Sequence, residues 1–159
     1  MKYNIKLDPI LESDFEIIFP MIDKIWPHRV EDIKKDLQVY IRDPGDDRRF
    51  KIVLDETVIG ITGSYMYDEH SAGLCWHGLL PKYQGSGISF HVIKMIFDLC
   101  KSIYKDFDRF VELIPVDRPE LDSYFCSHGF RKTDEIVPKF YWLPDTVEWK
   151  LYSIDLKDM

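Results

Sequence analysis

A short glycine-rich segment has the residue types and the spacing of an anion-binding turn. It runs from Gln84 to Ser89, Gln-Gly-Ser-Gly-Ile-Ser, and separates an apolar segment from a pattern typical of a helix. Glycine lets the backbone approach a ligand closely, and the first N–H groups of a helix attract anions. Two glycines are equally typical of a tight turn that binds nothing. The segment lacks the Gly-Lys-Ser/Thr of a Walker loop and the G-x-G-x-x-G of a dinucleotide-binding fingerprint.

Two ionisable side chains could exchange a proton with a substrate. Glu112 interrupts the apolar strand Phe-Val-Glu-Leu-Ile, where a carboxylate is costly unless it faces a cleft or a partner. His77 precedes the glycine-rich segment on a predicted strand, and the ordinary pKa of histidine suits a general base. Both residues also have structural interpretations, as a salt-bridged glutamate and as a packed or surface histidine. Cys126 and His128 could form a nucleophilic pair, but no group that would orient it is evident.

Hydropathy patterns predict the elements that must position these residues. The predicted order is β-α-α-β-β-β-loop-α-β-α-β-β. This order indicates an α+β fold of mixed α/β layers, with a largely antiparallel central sheet of about seven strands flanked by about four helices. The predicted strands cover residues 3–7, 50–54, 57–67, 72–80, 109–115, 130–142 and 147–156, and the predicted helices cover residues 13–25, 30–41, 87–104 and 119–127.

Several residues mark the predicted boundaries of these elements. Ser13 and Glu16 have the spacing of a capping box at the start of the first helix. Pro20 lacks an N–H group and should kink or split that helix. Gly129 should end the last helix in a left-handed conformation, and Pro144-Asp145 should form the turn between the last two strands.

Composition bounds the function without identifying it. The net charge of -7 argues against nonspecific nucleic-acid binding and mildly favours a cationic substrate such as an amine, although an acidic soluble surface is the simpler explanation. The three cysteines form no C-x-x-C pair, which favours reduced thiols in a cytoplasmic protein over zinc sites or disulfides. No signal peptide or membrane-spanning run is evident, so no membrane partner is expected.

We expect a single domain over residues 1–159 and leave open whether it forms a homodimer. The cysteines are Cys75, Cys100 and Cys126.

Two segments together resemble the GNAT superfamily of N-acetyltransferases. Residues 79–89, Leu-Leu-Pro-Lys-Tyr-Gln-Gly-Ser-Gly-Ile-Ser, resemble that family's loop Gln/Arg-x-x-Gly-x-Gly/Ala. The segment from Glu112 to Asp117, followed by Tyr124-Phe125 and Gly129-Phe130, is similar to the family's strand-helix-Gly-Phe region. The order of elements also matches along essentially the whole chain. The resemblance implies a transferase that moves an acetyl group from acetyl-CoA to a primary amine by direct attack on the thioester, with no metal.

The resemblance also implies how acetyl-CoA is held. The backbone of Leu79 and Leu80 would pair with the pantetheine arm, and the N–H groups of the glycine-rich segment would hold the pyrophosphate. Ser89 departs from the family's Gly or Ala, so its hydroxyl could bond a phosphate or crowd it. The implied cofactor-binding residues are Leu79, Leu80, Gln84, Gly85, Ser86, Gly87, Ile88, Ser89, Asp117 and Phe125.

The resemblance implies two alternative registers for the residue that acts as the acid. The family's acid is often a tyrosine on the helix before Gly-Phe. Counting forward from Asp117 places Tyr124 at that position, and counting back from Gly129 places Phe125 there. Tyr124 has the hydroxyl and is the predicted acid, and the alternative is a thiolate that leaves unaided. Glu112 resembles a family position that acts as a base through water.

His77 is the rival base, because the resemblance places the thioester near it. A non-catalytic acyl-CoA sensor or partner module with the same fold is the alternative function. The amine itself is not identified, because the family sets it through the first two helices and the last strands. In this chain those regions are residues 26–29 and 136–149.

Overall fold

The chain has the predicted mixed α+β architecture. The computed structural model describes residues 3–116, 118–137, 148–155 and 157. This part of the chain contains four α-helices and eight strands, one strand more than predicted. The helices are Phe15–Ile25 (α1), Val30–Arg42 (α2), Ile88–Ile103 (α3) and Glu120–Ser127 (α4). The strands are Ile5–Pro9 (β1), Arg48–Leu54 (β2), Thr57–Asp68 (β3), Ser71–Leu74 (β4), Gly78–Leu79 (β5), Arg109–Pro115 (β6), Arg131–Val137 (β7) and Trp149–Asp155 (β8).

The chain divides into two compact units. Unit 1 comprises Met1–Tyr65 and Leu74–Leu99, and unit 2 comprises Met66–Gly73 and Cys100–Met159. In unit 1 the antiparallel pairs are β1–β2, β2–β3 and β3–β5. In unit 2, β4 pairs with β6 in parallel, and β8 pairs with both β6 and β7 in antiparallel fashion.

Unit 1 has two apolar clusters, and a register shift in the β2–β3 hairpin accompanies them. The shift lies between Ile52 and Val53, and a shift of one residue moves side chains to the other face of a sheet. Ile59 accordingly belongs to the cluster around the start of α3, whereas Ile61 belongs to the cluster under α1 and α2. The cluster around the start of α3 comprises Ile52, Ile59, Leu79, Ile88 and Val92. The cluster under α1 and α2 comprises Ile10, Ile18, Met21, Ile22, Ile33, Leu37 and Ile61.

The start of α1 differs from the prediction. Ser13 and Glu16 form no capping box; a short 3-10 helix, Glu12–Asp14, precedes α1 instead. Asp14 accepts a hydrogen bond from the Leu11 N–H at 2.8 Å. It also forms an ion pair with Lys51, whose Nζ lies 2.9 Å from Asp14 Oδ1. Pro20 lies inside α1, which runs without interruption from Phe15 to Ile25, so the helix is not split.

The predicted strand over residues 72–80 is broken into β4 and β5. Trp76 lies in the break with φ of 42°, a left-handed conformation that bulky residues rarely adopt. Its indole Nε1 donates to Asp36 Oδ2 of α2 at 2.9 Å, and its ring packs edge-to-face against Trp26 at 6.0 Å. A Cβ at Gly78 would lie only 2.5 Å from the Trp26 ring, so a side chain there is excluded. Long-range contacts of two tryptophans therefore fix a break that hydropathy could not predict.

Unit 2 places α4 on one face of its strands. Phe110 of β6 and Phe130 pack edge-to-face at 6.5 Å, and Phe125 of α4 packs against the same Phe130 at 5.6 Å. Gly129 follows α4 with φ of 93°, which confirms the predicted left-handed position. The predicted turn at Pro144-Asp145 lies outside the described residues. No helix in the described ranges is long and apolar enough to cross a membrane.

Candidate functional site

The glycine-rich segment forms an open turn at the N-terminus of α3. Gly85 and Gly87 have φ of 74° and 84°, and L-residues with side chains rarely adopt such values. A Cβ built at either glycine meets nothing within 4 Å, so the space beside the turn is open. The first turn of α3 presents N–H groups and the positive end of the helix dipole at this opening. This geometry fits a phosphate group, because backbone donors and open space coincide.

Three side chains hold the turn through hydrogen bonds to backbone carbonyls. Tyr3 of the N-terminal segment donates its phenol hydrogen to the Ser86 carbonyl at 2.6 Å. The Ser86 hydroxyl donates to the Tyr83 carbonyl at 2.6 Å. Gln84 donates through Nε2 to the Leu79 carbonyl at 3.0 Å. The turn is therefore preorganised by hydrogen bonds within unit 1.

The backbone of Leu79 and Leu80 also has partners in unit 1. Leu80 donates its N–H to the Ile59 carbonyl at 2.8 Å and accepts from Tyr83 at 2.9 Å. The Leu79 carbonyl accepts from the Gln84 side chain. These bonds hold the end of β5 against the turn. Pairing of this backbone with a pantetheine arm remains a prediction.

His77 lies in the break between β4 and β5, and both of its ring nitrogens contact hydroxyl groups. Nδ1 lies 2.9 Å from Thr62 Oγ1, and Nε2 lies 2.7 Å from Ser89 Oγ. Burial lowers the pKa of the His77 ring to about 4. A base with so low a pKa and with both nitrogens engaged is poorly suited to remove a proton from an amine.

Glu112 lies on β6 directly opposite Tyr152 of β8, so the two side chains share one face of the strands. α4 covers that face, because Asp122 and Phe125 both contact Tyr152. The Glu112 Oε2 atom is buried and has no hydrogen-bond partner among the described residues. Burial raises the pKa of the Glu112 carboxyl to about 8. Glu112 can therefore hold or accept a proton near neutral pH.

Asp122 joins α4 to β8 through a set of polar contacts that sequence reasoning missed. It accepts a hydrogen bond from the Tyr152 phenol and from the Lys150 ammonium, whose Nζ lies 2.9 Å from Oδ1. Lys132 Nζ lies 4.0 Å away from the same carboxylate. The Tyr152 hydrogen bond and then Lys150 lower the pKa of Asp122. Lys150 and Tyr152 alternate on one strand, but no sequence signal identified the helix residue that they share.

The two aromatic candidates of α4 differ in their surroundings. Phe125 packs into unit 2 against Phe130 and lies 6.3 Å from the Tyr152 ring. Tyr124 is 36% exposed, and its ring lies 4.5 Å from His128. The hydroxyl-bearing residue is therefore the accessible one. Asp117 lies outside the described residues.

The predicted site residues are divided between the two units. Unit 1 contains His77, Leu79, Leu80 and the segment from Gln84 to Ser89, and it brings His77 into contact with Ser89. Unit 2 contains Glu112, Tyr124 and Phe125.

Comparison with known proteins identifies the fold. No family model and no curated protein matches the sequence. A GNAT family acetyltransferase from Elizabethkingia anophelis, solved with acetyl-CoA bound, is 16% identical over 98% of this chain and 100% of that chain, with a TM-score of 0.72. A spermidine N-acetyltransferase from Vibrio cholerae, solved with CoA and spermine, is 17% identical over 97% of this chain and 96% of that chain, with a TM-score of 0.70. Ard1 from Thermoplasma volcanium is 13% identical over 95% of this chain and 97% of that chain, with a TM-score of 0.68. These likenesses confirm the predicted architecture: this chain has the fold of the GNAT superfamily of N-acetyltransferases.

Proposed function

We propose that this protein is an acetyl-CoA-dependent N-acetyltransferase that acts on a primary amine. The observation that carries the proposal is the open, left-handed turn at Gly85 and Gly87, at the N-terminus of α3 in a chain with the GNAT fold. Two proteins with this fold, from Elizabethkingia anophelis and Vibrio cholerae, were solved with acetyl-CoA and with CoA. In this chain, the turn at Gly85 and Gly87 offers backbone donors of the kind that hold phosphate groups.

The residues of unit 1 would hold the acyl donor. N–H groups from Gly85 to Ser89 would bind the pyrophosphate, and the backbone of Leu79 and Leu80 would contact the pantetheine arm. We propose further cofactor contacts from Asp117 and Phe125. When bound, acetyl-CoA supplies a thioester whose acyl carbon an amine can attack. The residues of this chain then have to position the amine and move protons.

We propose Glu112 as the base. An attacking amine must lose a proton, and a base is most effective when its pKa lies near the working pH. The Glu112 pKa of about 8 meets that condition, whereas the His77 pKa of about 4 does not. His77 also uses both ring nitrogens in contacts with hydroxyl groups. His77 is therefore not proposed as the base.

We propose Tyr124 as the acid that protonates the departing sulfur. A thiolate leaves more easily when a proton is supplied, and a tyrosine hydroxyl can supply one. Tyr124 is accessible on α4, whereas Phe125 has no hydroxyl and packs into unit 2.

We propose a cationic amine as the first substrate class to test. The net charge of -7 favours the approach of cations. A neighbour in fold, from Vibrio cholerae, is a spermidine N-acetyltransferase solved with spermine. Polyamines therefore head a panel that also includes aminoglycosides, amino acids and peptides with free N-termini.

The test is release of the CoA thiol from acetyl-CoA with each amine of that panel. The proposal expects an amine-dependent release that saturates with one class of amine. No release with any amine, although CoA raises the melting temperature, would instead support a non-catalytic acyl-CoA sensor. The serine at position 89 and the phenylalanine at position 125 are the features that favour this second candidate.

A further inference from the structure

The last turn of α4 is capped by side chains at the carbonyl of Tyr124. A helix leaves its last four carbonyl groups without N–H partners inside the helix, and Tyr124 carries one of them, because α4 ends at Ser127. The Ser127 hydroxyl donates to this carbonyl at 2.8 Å, and His128 Nδ1 lies 2.6 Å from it. The backbone N–H of His128 binds the Phe125 carbonyl instead. The His128 side chain is thus bound to the residue that is proposed as the acid.

The contact with the carbonyl fixes a hydrogen on the His128 ring. A carbonyl oxygen only accepts hydrogen bonds, so Nδ1 must carry the hydrogen that lies between the two atoms. The same ring lies against the Tyr124 side chain, with 4.5 Å between the ring centroids and 47° between the ring planes. His128 therefore contacts both the backbone and the side chain of Tyr124, and the backbone contact holds the histidine ring in place.

Tyr124 has a second ring neighbour, Phe125. The two rings lie edge-to-face at 5.0 Å, and Phe125 packs into unit 2 against Phe130 at 5.6 Å. Two rings that are themselves held in place therefore contact the Tyr124 ring, although 36% of Tyr124 is exposed. An exposed side chain without such contacts samples several rotamers, and ordering it costs free energy. These contacts restrict the phenol hydroxyl before any ligand binds.

The orientation of the phenol matters because a general acid acts only within hydrogen-bond reach of the atom that it protonates. A phenol that samples several rotamers meets this condition for only part of the time. The rate of the step depends on the fraction of molecules in the competent orientation. A residue that restricts the rotamers of the acid therefore raises kcat without touching the reacting atoms.

We propose that His128 is a positioning residue that holds the Tyr124 ring in the orientation from which its hydroxyl protonates the departing sulfur. This inference rests on the proposed function, because it assumes that Tyr124 is the acid. The histidine ring acts through its contact with the tyrosine ring, and its bond to the Tyr124 carbonyl keeps it there. The sequence allowed a nucleophilic pair with Cys126, whereas the structure places the His128 ring against Tyr124.

The test is a double-mutant cycle on kcat, measured by release of the CoA thiol with the amine of the panel that reacts fastest. His128→Ala should lower kcat by about 3-fold to 10-fold, the effect of ordering one side chain, and leave the KM for acetyl-CoA unchanged. In the Tyr124→Phe background the same change should alter kcat by less than about 2-fold, because the group that His128 positions is gone.

His70→Ala is the matched control for this cycle. The His70 ring also belongs to unit 2, and its Nδ1 also lies near a backbone carbonyl, that of Asp106 at 3.1 Å. Removing it deletes the same kind of contact away from α4. The kcat of His70→Ala should equal that of the wild type.

His128→Asn separates positioning of the phenol from capping of the helix. Asparagine keeps a donor for the Tyr124 carbonyl but has no ring. Its free energy of unfolding should stay near that of the wild type, whereas its kcat should fall as in His128→Ala. NMR gives a readout that needs no substrate: the His128 ring current should shift the Tyr124 ring protons in the wild type, and both variants should lose that shift.

Three outcomes would overturn the inference. His128→Ala could keep the full kcat, it could lower kcat as much in Tyr124→Phe as in the wild type, or His128→Asn could have the full kcat. In each case a wild type with amine-dependent turnover leaves the proposed transferase function intact. A Tyr124→Phe variant with the full kcat removes the acid role and this inference together, and a wild type without turnover overturns both proposals.

Discussion

Replacing Glu112 by glutamine tests whether one buried carboxyl controls both stability and catalysis. Glutamine has nearly the same shape as protonated glutamate, and it stays neutral at every pH. The Glu112 Oε2 atom is buried without a hydrogen-bond partner in the described part of the chain, and its carboxyl pKa is raised from 4.5 to about 8 by burial. The wild type must therefore ionise a buried group as the pH rises, and Glu112→Gln does not.

The raised pKa sets the sign of the effect on stability. The folded protein holds a proton on Glu112 that the unfolded chain releases above about pH 4.5. The contribution of the neutral carboxyl is complete below that pH and is lost as the pH rises through about 8. A pKa of about 8 against 4.5 corresponds to at most about 5 kcal/mol of unfolding free energy.

Urea unfolding at pH 5, 7 and 9 measures this effect as a difference between two proteins. The free energy of unfolding of Glu112→Gln minus that of the wild type should grow with pH and level off above about pH 9. The difference cancels the titration of all other groups. Glu16→Gln, an exposed glutamate of α1, is the control and should show no such trend.

The same variant tests the catalytic role. If Glu112 is the base, kcat/KM of the wild type should rise about tenfold per pH unit below pH 8 and level above it. Glu112→Gln should lower the plateau by about 100-fold to 10,000-fold and remove the rising limb. His77→Phe should retain the rise of kcat/KM with pH below pH 8. A Glu112→Gln variant with the full rate, or a flat stability difference between pH 5 and 9, would refute the reasoning.

Three further changes have definite expected outcomes. Gly87→Ala puts a side chain at φ of 84° and into the open turn, so it should cost about 1 kcal/mol of unfolding free energy and weaken CoA binding in calorimetry. Gly45→Ala, at φ of 55° and equally uncrowded, should lose similar stability but bind CoA normally. Asp36→Ala removes the carboxylate that accepts from both the Trp76 indole and the buried Arg49 guanidinium, so it should lower unfolding free energy by about 1–3 kcal/mol in urea; an unchanged value would mean that neither bond stabilises this region. Tyr124→Phe should lower kcat by about 100-fold with an unchanged KM for acetyl-CoA, and unchanged turnover would remove its role as the acid.

The sequence predicted those features that depend on local patterns. Apolar residues at helical spacing located α2 and α3, and Gly85 and Gly87 predicted a turn, which the structure shows with both glycines in left-handed conformations. Gly129 was likewise predicted from its place after α4. Each of these features depends on backbone preferences over a few neighbouring residues.

Features that depend on distant contacts were not predictable in this way. The strand break at Trp76 depends on Asp36 and Trp26, which lie far away in sequence. The surroundings of His77 come from β3 and α3, so its low pKa could not be inferred from its own segment. The capping prediction was wrong because the chain adds a short 3-10 helix before α1.

The most direct test of the central proposal measures two products of one reaction. Wild-type protein, acetyl-CoA and a polyamine are combined, and the released CoA thiol and the acetylated amine are quantified together, the amine by mass spectrometry. The proposal predicts one acetylated amine for each thiol released, and no release above background without the amine. Thiol release that is independent of the amine, or no acetylated amine with any member of the panel, would contradict it.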